Sequence, residues 1–124
     1  MQKNRLIYQR LPKPNENTIV LLTGSRQTGK TTSAKHFYPE LNYFNLDAWE
    51  YRDQLSQVSS FNWGGSVGNV ILDEIQKEPA LFDKIKFAFD EKKINFTVLL
   101  GNSQILLLKK VRETLAGRVL IYEL

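Results

Sequence analysis

The chain has 124 residues, enough for one compact domain, with an ordinary globular balance of 42% hydrophobic and 24% charged residues. It has no cysteine and a single histidine, His36, which excludes a disulfide framework, a cysteine metal site and a multi-histidine site. The net charge of +4 comes from 17 Lys and Arg against 13 Asp and Glu; it is compatible with nucleic-acid contact without arguing for it.

No apolar run approaches the length of a membrane span, and no apolar signal core follows Met1-Gln2-Lys3-Asn4-Arg5. The expectation is a cytoplasmic protein with no membrane partner.

Residues 1–17 are polar and basic, with Pro12 and Pro14, and read as a leading arm or short helix followed by a turn. Thr18–Thr23 is nearly all apolar, as in a parallel strand buried on both faces. It leads into Gly24-Ser25-Arg26-Gln27-Thr28-Gly29-Lys30-Thr31, which fits the phosphate-binding loop pattern G-x-x-x-x-G-K-[ST]. Such a loop turns backbone N–H groups onto phosphate oxygens, and glycines permit the dihedrals this requires. The following helix, Lys30–Phe37, adds unpaired N–H groups and a partial positive charge. Residues Gly24 to Thr32 are therefore the expected nucleotide-binding set. Lys30 would reach the β- and γ-phosphates, and the Thr31 hydroxyl would join a Mg²⁺ ion. Arg26 and Gln27 would contact phosphate or order the loop. Pro39 stops the helix, and His36 near its end reads as a surface or capping residue.

A second strand is expected over Leu41–Leu46, then a helix over Ala48–Gln57 capped by Asp47. Residues 59–68 are the most loop-like stretch, with Phe61 and Trp63 packing it down. A third strand, Asn69–Leu72, closes on Asp73-Glu74. Phosphoryl transfer needs a metal held against the phosphates and a positioned nucleophile. Asp73 suits the first task and Glu74 the second, by polarising the attacking water.

Pro79 opens a helix with Leu81, Phe82, Ile85, Ala88 and Phe89 on one face; Phe87 breaks the pattern. A fourth strand, Phe96–Leu100, ends in Gly101-Asn102-Ser103. Asn102 is the candidate sensor of the γ-phosphate or lytic water, and Ser103 the candidate cap of a helix over Gln104–Leu115. Gly117 ends that region, and Val119–Tyr122 is a fifth strand. Arg118 precedes it and would either be presented to the nucleotide site of a neighbouring subunit or form a surface salt bridge. Five alternations of strand and helix imply an α/β fold with a parallel sheet and ligands at the strand C-termini.

Four segments resemble a group of prokaryotic AAA-type ATPases. They are Thr23 to Thr32, Ile71-Leu72-Asp73-Glu74-Ile75-Gln76, Gly101-Asn102-Ser103 and Leu115-Ala116-Gly117-Arg118-Val119. The resemblance runs from about Arg5 to Leu124. It implies a three-layer P-loop core with a five-stranded parallel sheet in the order 5-1-4-3-2, and ATP with Mg²⁺. Asn102 stands where the family usually has serine. Family members continue into a second domain, and AAA proteins use a helical lid; with the sequence ending at Leu124, a single core, weak nucleotide closure and slow or absent hydrolysis are expected.

The functional expectation is ATP binding with Mg²⁺-dependent hydrolysis, in a homo-oligomer if Arg118 acts between subunits. The alternatives are a nucleotide-binding switch without turnover and, less favoured because of the Asp-Glu pair, a P-loop kinase. The run Lys109-Lys110-Val111-Arg112 is the candidate for any nucleic-acid contact and otherwise a solvated helix face.

Overall fold

A computed structural model describes residues 11–24 and 29–124. Its core is one five-stranded sheet: β1 (Thr18–Thr23), β2 (Asn42–Asn45), β3 (Val70–Asp73), β4 (Phe96–Gly101) and β5 (Val119–Glu123). The spatial order is β2-β3-β4-β1-β5, and every pairing is parallel. Read from the other edge, this is the expected order 5-1-4-3-2. Parallel neighbours need crossovers, and the helices supply them. These are α1 (Lys30–Phe37), α2 (Trp49–Ser56), α3 (Trp63–Ser66), α4 (Leu81–Asp90) and α5 (Ile105–Thr114), with a 3₁₀ turn at Ile75–Lys77.

The strand sequences alternate between two cores. Ile19, Leu21, Val70, Leu72 and Leu99 pack with Trp63, Phe82, Ile85, Leu107 and Val111 from α3, α4 and α5. Val20, Leu22, Ile71, Val98 and Leu100 pack on the other face with Ala34 of α1 and with Tyr38. A period of two with both faces apolar explains the near-continuous hydrophobic runs of β1 and β4. The central strands β1, β3 and β4 are buried throughout apart from Thr18, whereas edge strands β2 and β5 are only partly covered.

The described part of the leading arm is docked. The Tyr38 hydroxyl donates to the Pro12 carbonyl at 2.6 Å, and the Asn95 side-chain amide donates to the Pro14 carbonyl at 2.7 Å. The expectation for residues 1–10 lies outside the described residues.

Three local expectations are corrected. Asp47 does not cap α2: the N-cap is Ala48, without a side-chain hydrogen bond, while the Asp47 N–H donates to Asn45 Oδ1 at 3.0 Å in an Asx turn and its carboxylate faces Lys77 Nζ at 3.6 Å. Ser103 does not cap α5: the N-cap is Gln104, whose N–H donates to Asn102 Oδ1 at 3.3 Å. Residues 59–68 are not all loop, since Trp63 is fully buried and carries the short helix α3 into the core. Phe61 remains exposed and meets Phe87 edge-on, with centroids 5.4 Å apart. That contact accounts for the aromatic ring on the polar side of α4.

Candidate functional site

The polar segments at the C-terminal ends of β1, β3 and β4 lie at one end of the sheet, the end where parallel α/β sheets bind ligands. Gly24 follows β1 with φ 150°, and Gly29 precedes α1 with φ 76°. Gly29 occupies the left-handed region as the N-cap of α1, where a side chain would be strained. No side chain caps α1, and its first turn carries no acid. The helix thus opens with the positive end of its dipole uncompensated by an acid, the arrangement that receives an anion. Lys30 is buried in the first turn, Thr31 is half-buried and Thr32 is exposed. Ser25, Arg26, Gln27 and Thr28 lie outside the described residues.

The loop and the acidic strand end are joined directly. Thr31 Oγ1 donates to Asp73 Oδ2 at 2.7 Å, across 42 residues of sequence. The same carboxylate oxygen accepts the Tyr43 hydroxyl at 2.5 Å, while Oδ1 accepts the Glu74 N–H at 2.8 Å. Asp73 is itself 4% exposed, so three donors satisfy a buried carboxylate that would otherwise be costly. Burial and the hydrogen bond to Asp73 push the Tyr43 phenol well above its ordinary range, keeping it a donor. The Lys35 ammonium lies 3.9 Å from the centroid of the Tyr43 ring.

Glu74 has φ 56°, in the left-handed region that costs a non-glycine residue about 1–2 kcal/mol. Its N–H bond to Asp73 holds that turn. Its carboxylate accepts a hydrogen bond from the Gln76 amide, Nε2 to Oε1, at 2.6 Å. The opposite atom of that amide, Gln76 Oε1, is buried with no hydrogen-bond partner among the described residues. A Cβ added at Gly101 would come within 3.1 Å of that oxygen and 2.6 Å of Leu107 Cδ2. Glycine at the end of β4 therefore makes room for Gln76 and Leu107. Asn102, next along, is half-buried and bonded to the α5 N-cap.

The donor set suits Mg²⁺. A hydroxyl whose proton is committed to Asp73 keeps its lone pairs for a cation, and both groups are hard oxygens. Two protein oxygens are what a magnesium ion carried mainly by phosphates and water uses.

Arg118 lies elsewhere. Its carbonyl accepts the Ile19 N–H at 3.0 Å, so it stands at the start of β1 and β5. Thr18–Thr23 spans about 17 Å, which separates Arg118 from Gly24 along the strand. Its guanidinium clasps Asp90 at the end of α4 with Nε–Oδ1 2.6 Å and Nη2–Oδ2 2.9 Å, and donates to the Ala116 carbonyl at 2.8 Å. The guanidinium holds the Asp90 carboxyl below its usual range. Arg118 is thus not part of its own chain's strand-end cluster.

Reasoning from the sequence missed Tyr43 and Gln76 as members of the site. Tyr43 carried a signal, since it lies on β2 next to β3 and faces the α1 side with Thr31. Gln76 had a weaker one, a polar residue two positions after the acidic pair.

Comparison with known proteins agrees with this geometry. The family model described as an AAA domain matches residues 16–124. The uncharacterized proteins Mb2031c of Mycobacterium bovis and Rv2008c of Mycobacterium tuberculosis are each 34% identical over 113 residues, covering 86% of this chain. The chain spans 24% of the length of these relatives. A crystal structure of the DnaC helicase loader is similar in fold, with a TM-score of 0.52 and 14% identity over 97% of this chain and 86% of that one. Among the described residues no helix is long and apolar enough to cross a membrane. With the matched model covering all five strands, the chain belongs to the AAA-domain family of P-loop proteins.

Proposed function

We propose that this domain binds ATP with Mg²⁺ and hydrolyses it. The observation that carries the reading is the 2.7 Å hydrogen bond from Thr31 to Asp73, which joins the phosphate-loop helix to the acidic strand end. On this reading the amides of residues 24–32 and the Lys30 ammonium neutralise the phosphate oxygens. Thr31 and Asp73 would hold Mg²⁺, which would supply charge neutralisation to the phosphates. Glu74 orients a water and takes its proton as the water oxygen bonds to the γ-phosphorus and the bond to the β-phosphate oxygen breaks. Asn102 contacts the γ-phosphate or that water.

Arg118 acts, on this reading, only at the site of a neighbouring subunit, and its clasp with Asp90 must open for it to do so. Its distance from its own site supports the second reading, a nucleotide-binding switch that does not turn over as a lone chain. One experiment separates the two. Glu74→Gln and Arg118→Ala are each expected to bind ATP yet lose turnover, Glu74→Gln by about 10²–10⁴-fold. Mixing them restores activity if the arginine crosses between subunits, because a Glu74→Gln subunit lends its arginine to an Arg118→Ala site. Full turnover by Glu74→Gln alone refutes the role of Glu74, and a parent that binds ATP without turning it over refutes the hydrolysis reading. A silent mixture of two binding-competent proteins refutes the role of Arg118 between subunits.

A further inference from the structure

Gln76 is held in an arrangement that an ordinary packing residue does not need. Its amide has two ends of opposite character. The N–H end donates to Glu74 Oε1 at 2.6 Å, and the oxygen end is buried near Gly101 without a partner among the described residues. Turning the amide over would set its oxygen against the Glu74 carboxylate, two acceptors face to face. The charge on Glu74 therefore dictates the orientation, and the unsatisfied oxygen is its consequence. Glu74 already occupies a left-handed backbone conformation, so its carboxylate projects from a strained turn and has Gln76 as its side-chain partner.

We infer that Gln76 is the positioning residue for Glu74: it fixes the carboxylate that orients the lytic water, at the expense of fold stability. The inference rests on the hydrolysis reading above. Gln76 Oε1 also sits 3.1 Å from where a Cβ at Gly101 would lie, one residue before Asn102. It thereby links the carboxylate to the strand end that carries the candidate sensor. An apolar side chain of the same length would remove the orphaned oxygen and the hold on Glu74 together. Stability and turnover are then expected to move in opposite directions, a signature that a packing role does not give.

The test uses the full chain and three measurements: thermal midpoint, ATP affinity by titration, and single-turnover ATP hydrolysis at high protein concentration. Gln76→Met is expected to keep or raise the thermal midpoint, to leave ATP affinity within about 2-fold, and to slow hydrolysis by about 10- to 100-fold. Gln76→Glu keeps a polar group of the same length if the apolar variant does not fold. It replaces the donor with a like charge and is expected to slow hydrolysis further at unchanged affinity. In a Glu74→Gln background neither change is expected to cost more turnover.

A Gln76→Met protein that melts earlier than the parent, or hydrolyses ATP at the parental rate, overturns the inference. A parent that binds ATP but shows no hydrolysis refutes the underlying reading, and the role of Gln76 falls with it. Hydrolysis by the parent with no response to either variant refutes Gln76 alone.

Discussion

Removing one oxygen, Tyr43→Phe, tests how Asp73 is held. The ring stays, so its packing and the Lys35 ammonium 3.9 Å from its centroid are retained. What is lost is a single hydroxyl donor, 2.5 Å from Asp73 Oδ2. Hydrogen bonds to charged groups contribute about 1.5–3 kcal/mol. Asp73 keeps Thr31 and the Glu74 N–H, so the carboxylate is not orphaned and the lower part of that range, about 1.5 kcal/mol, applies. Unfolding entropy for a chain of this size is about 0.26 kcal/mol/K near the midpoint, so the thermal midpoint falls by about 6 °C. The phenol stays protonated because burial raises its pKa, and the loss is therefore expected to be the same at neutral and mildly alkaline pH. The assay is thermal and urea unfolding of the nucleotide-free protein, with a double-mutant cycle against Asp73→Ala. A coupling of about 1–2 kcal/mol is expected. A coupling below about 0.3 kcal/mol, within the noise of independent sites, refutes the argument.

Two further outcomes follow from other contacts. Gly101→Ala places a Cβ 2.6 Å from Leu107 Cδ2 and 3.1 Å from Gln76 Oε1, so it is expected to destabilise the fold by about 1–3 kcal/mol in urea unfolding. An unchanged urea midpoint would mean that Leu107 and Gln76 have room to move. The Arg118–Asp90 clasp gives a pH dependence: the folded Asp90 carboxyl lies below its ordinary value of 3.8, so its contribution is complete above that value and is lost as pH falls below it through the depressed folded value. The parent is expected to melt above Asp90→Asn at neutral pH, and the gap to close in acid and shrink in high salt. A gap that widens in acid contradicts the sign of the shift.

The parts of the site that were legible in the sequence are those set by local spacing. Gly24, Gly29, Lys30 and Thr31 lie within one turn and helix start, and Asp73-Glu74 end one apolar strand. Their chemistry follows from adjacency along the chain. The near-continuous apolar runs of β1, β3 and β4 were equally plain, because burial on both faces favours apolar residues at successive positions. Tyr43 was hidden because its partner is 30 residues away, and only the β2–β3 pairing brings them together. Gln76 was hidden for a different reason: sequence shows the residue, but its purpose depends on which end of the amide faces Glu74. Asp47 misled because capping residues are equally at home in turns: here its carboxylate faces Lys77 and Ala48 stands at the N-cap. Trp63 lay in a glycine-rich stretch, and a buried indole outweighed the weak helix propensity around it. The remoteness of Arg118 from its own site follows once the sheet is known to be parallel, since a residue before one strand lies opposite the residue after another.

The central claim is that the strand-end cluster receives Mg·ATP through Lys30, Thr31 and Asp73. Isothermal titration of the parent and of Lys30→Ala with ATP, each with and without Mg²⁺, tests it most directly. The account predicts saturable binding by the parent that Mg²⁺ strengthens, and loss of that binding in a folded Lys30→Ala protein. Undiminished affinity in Lys30→Ala, or no binding by the parent at millimolar ATP, would contradict it.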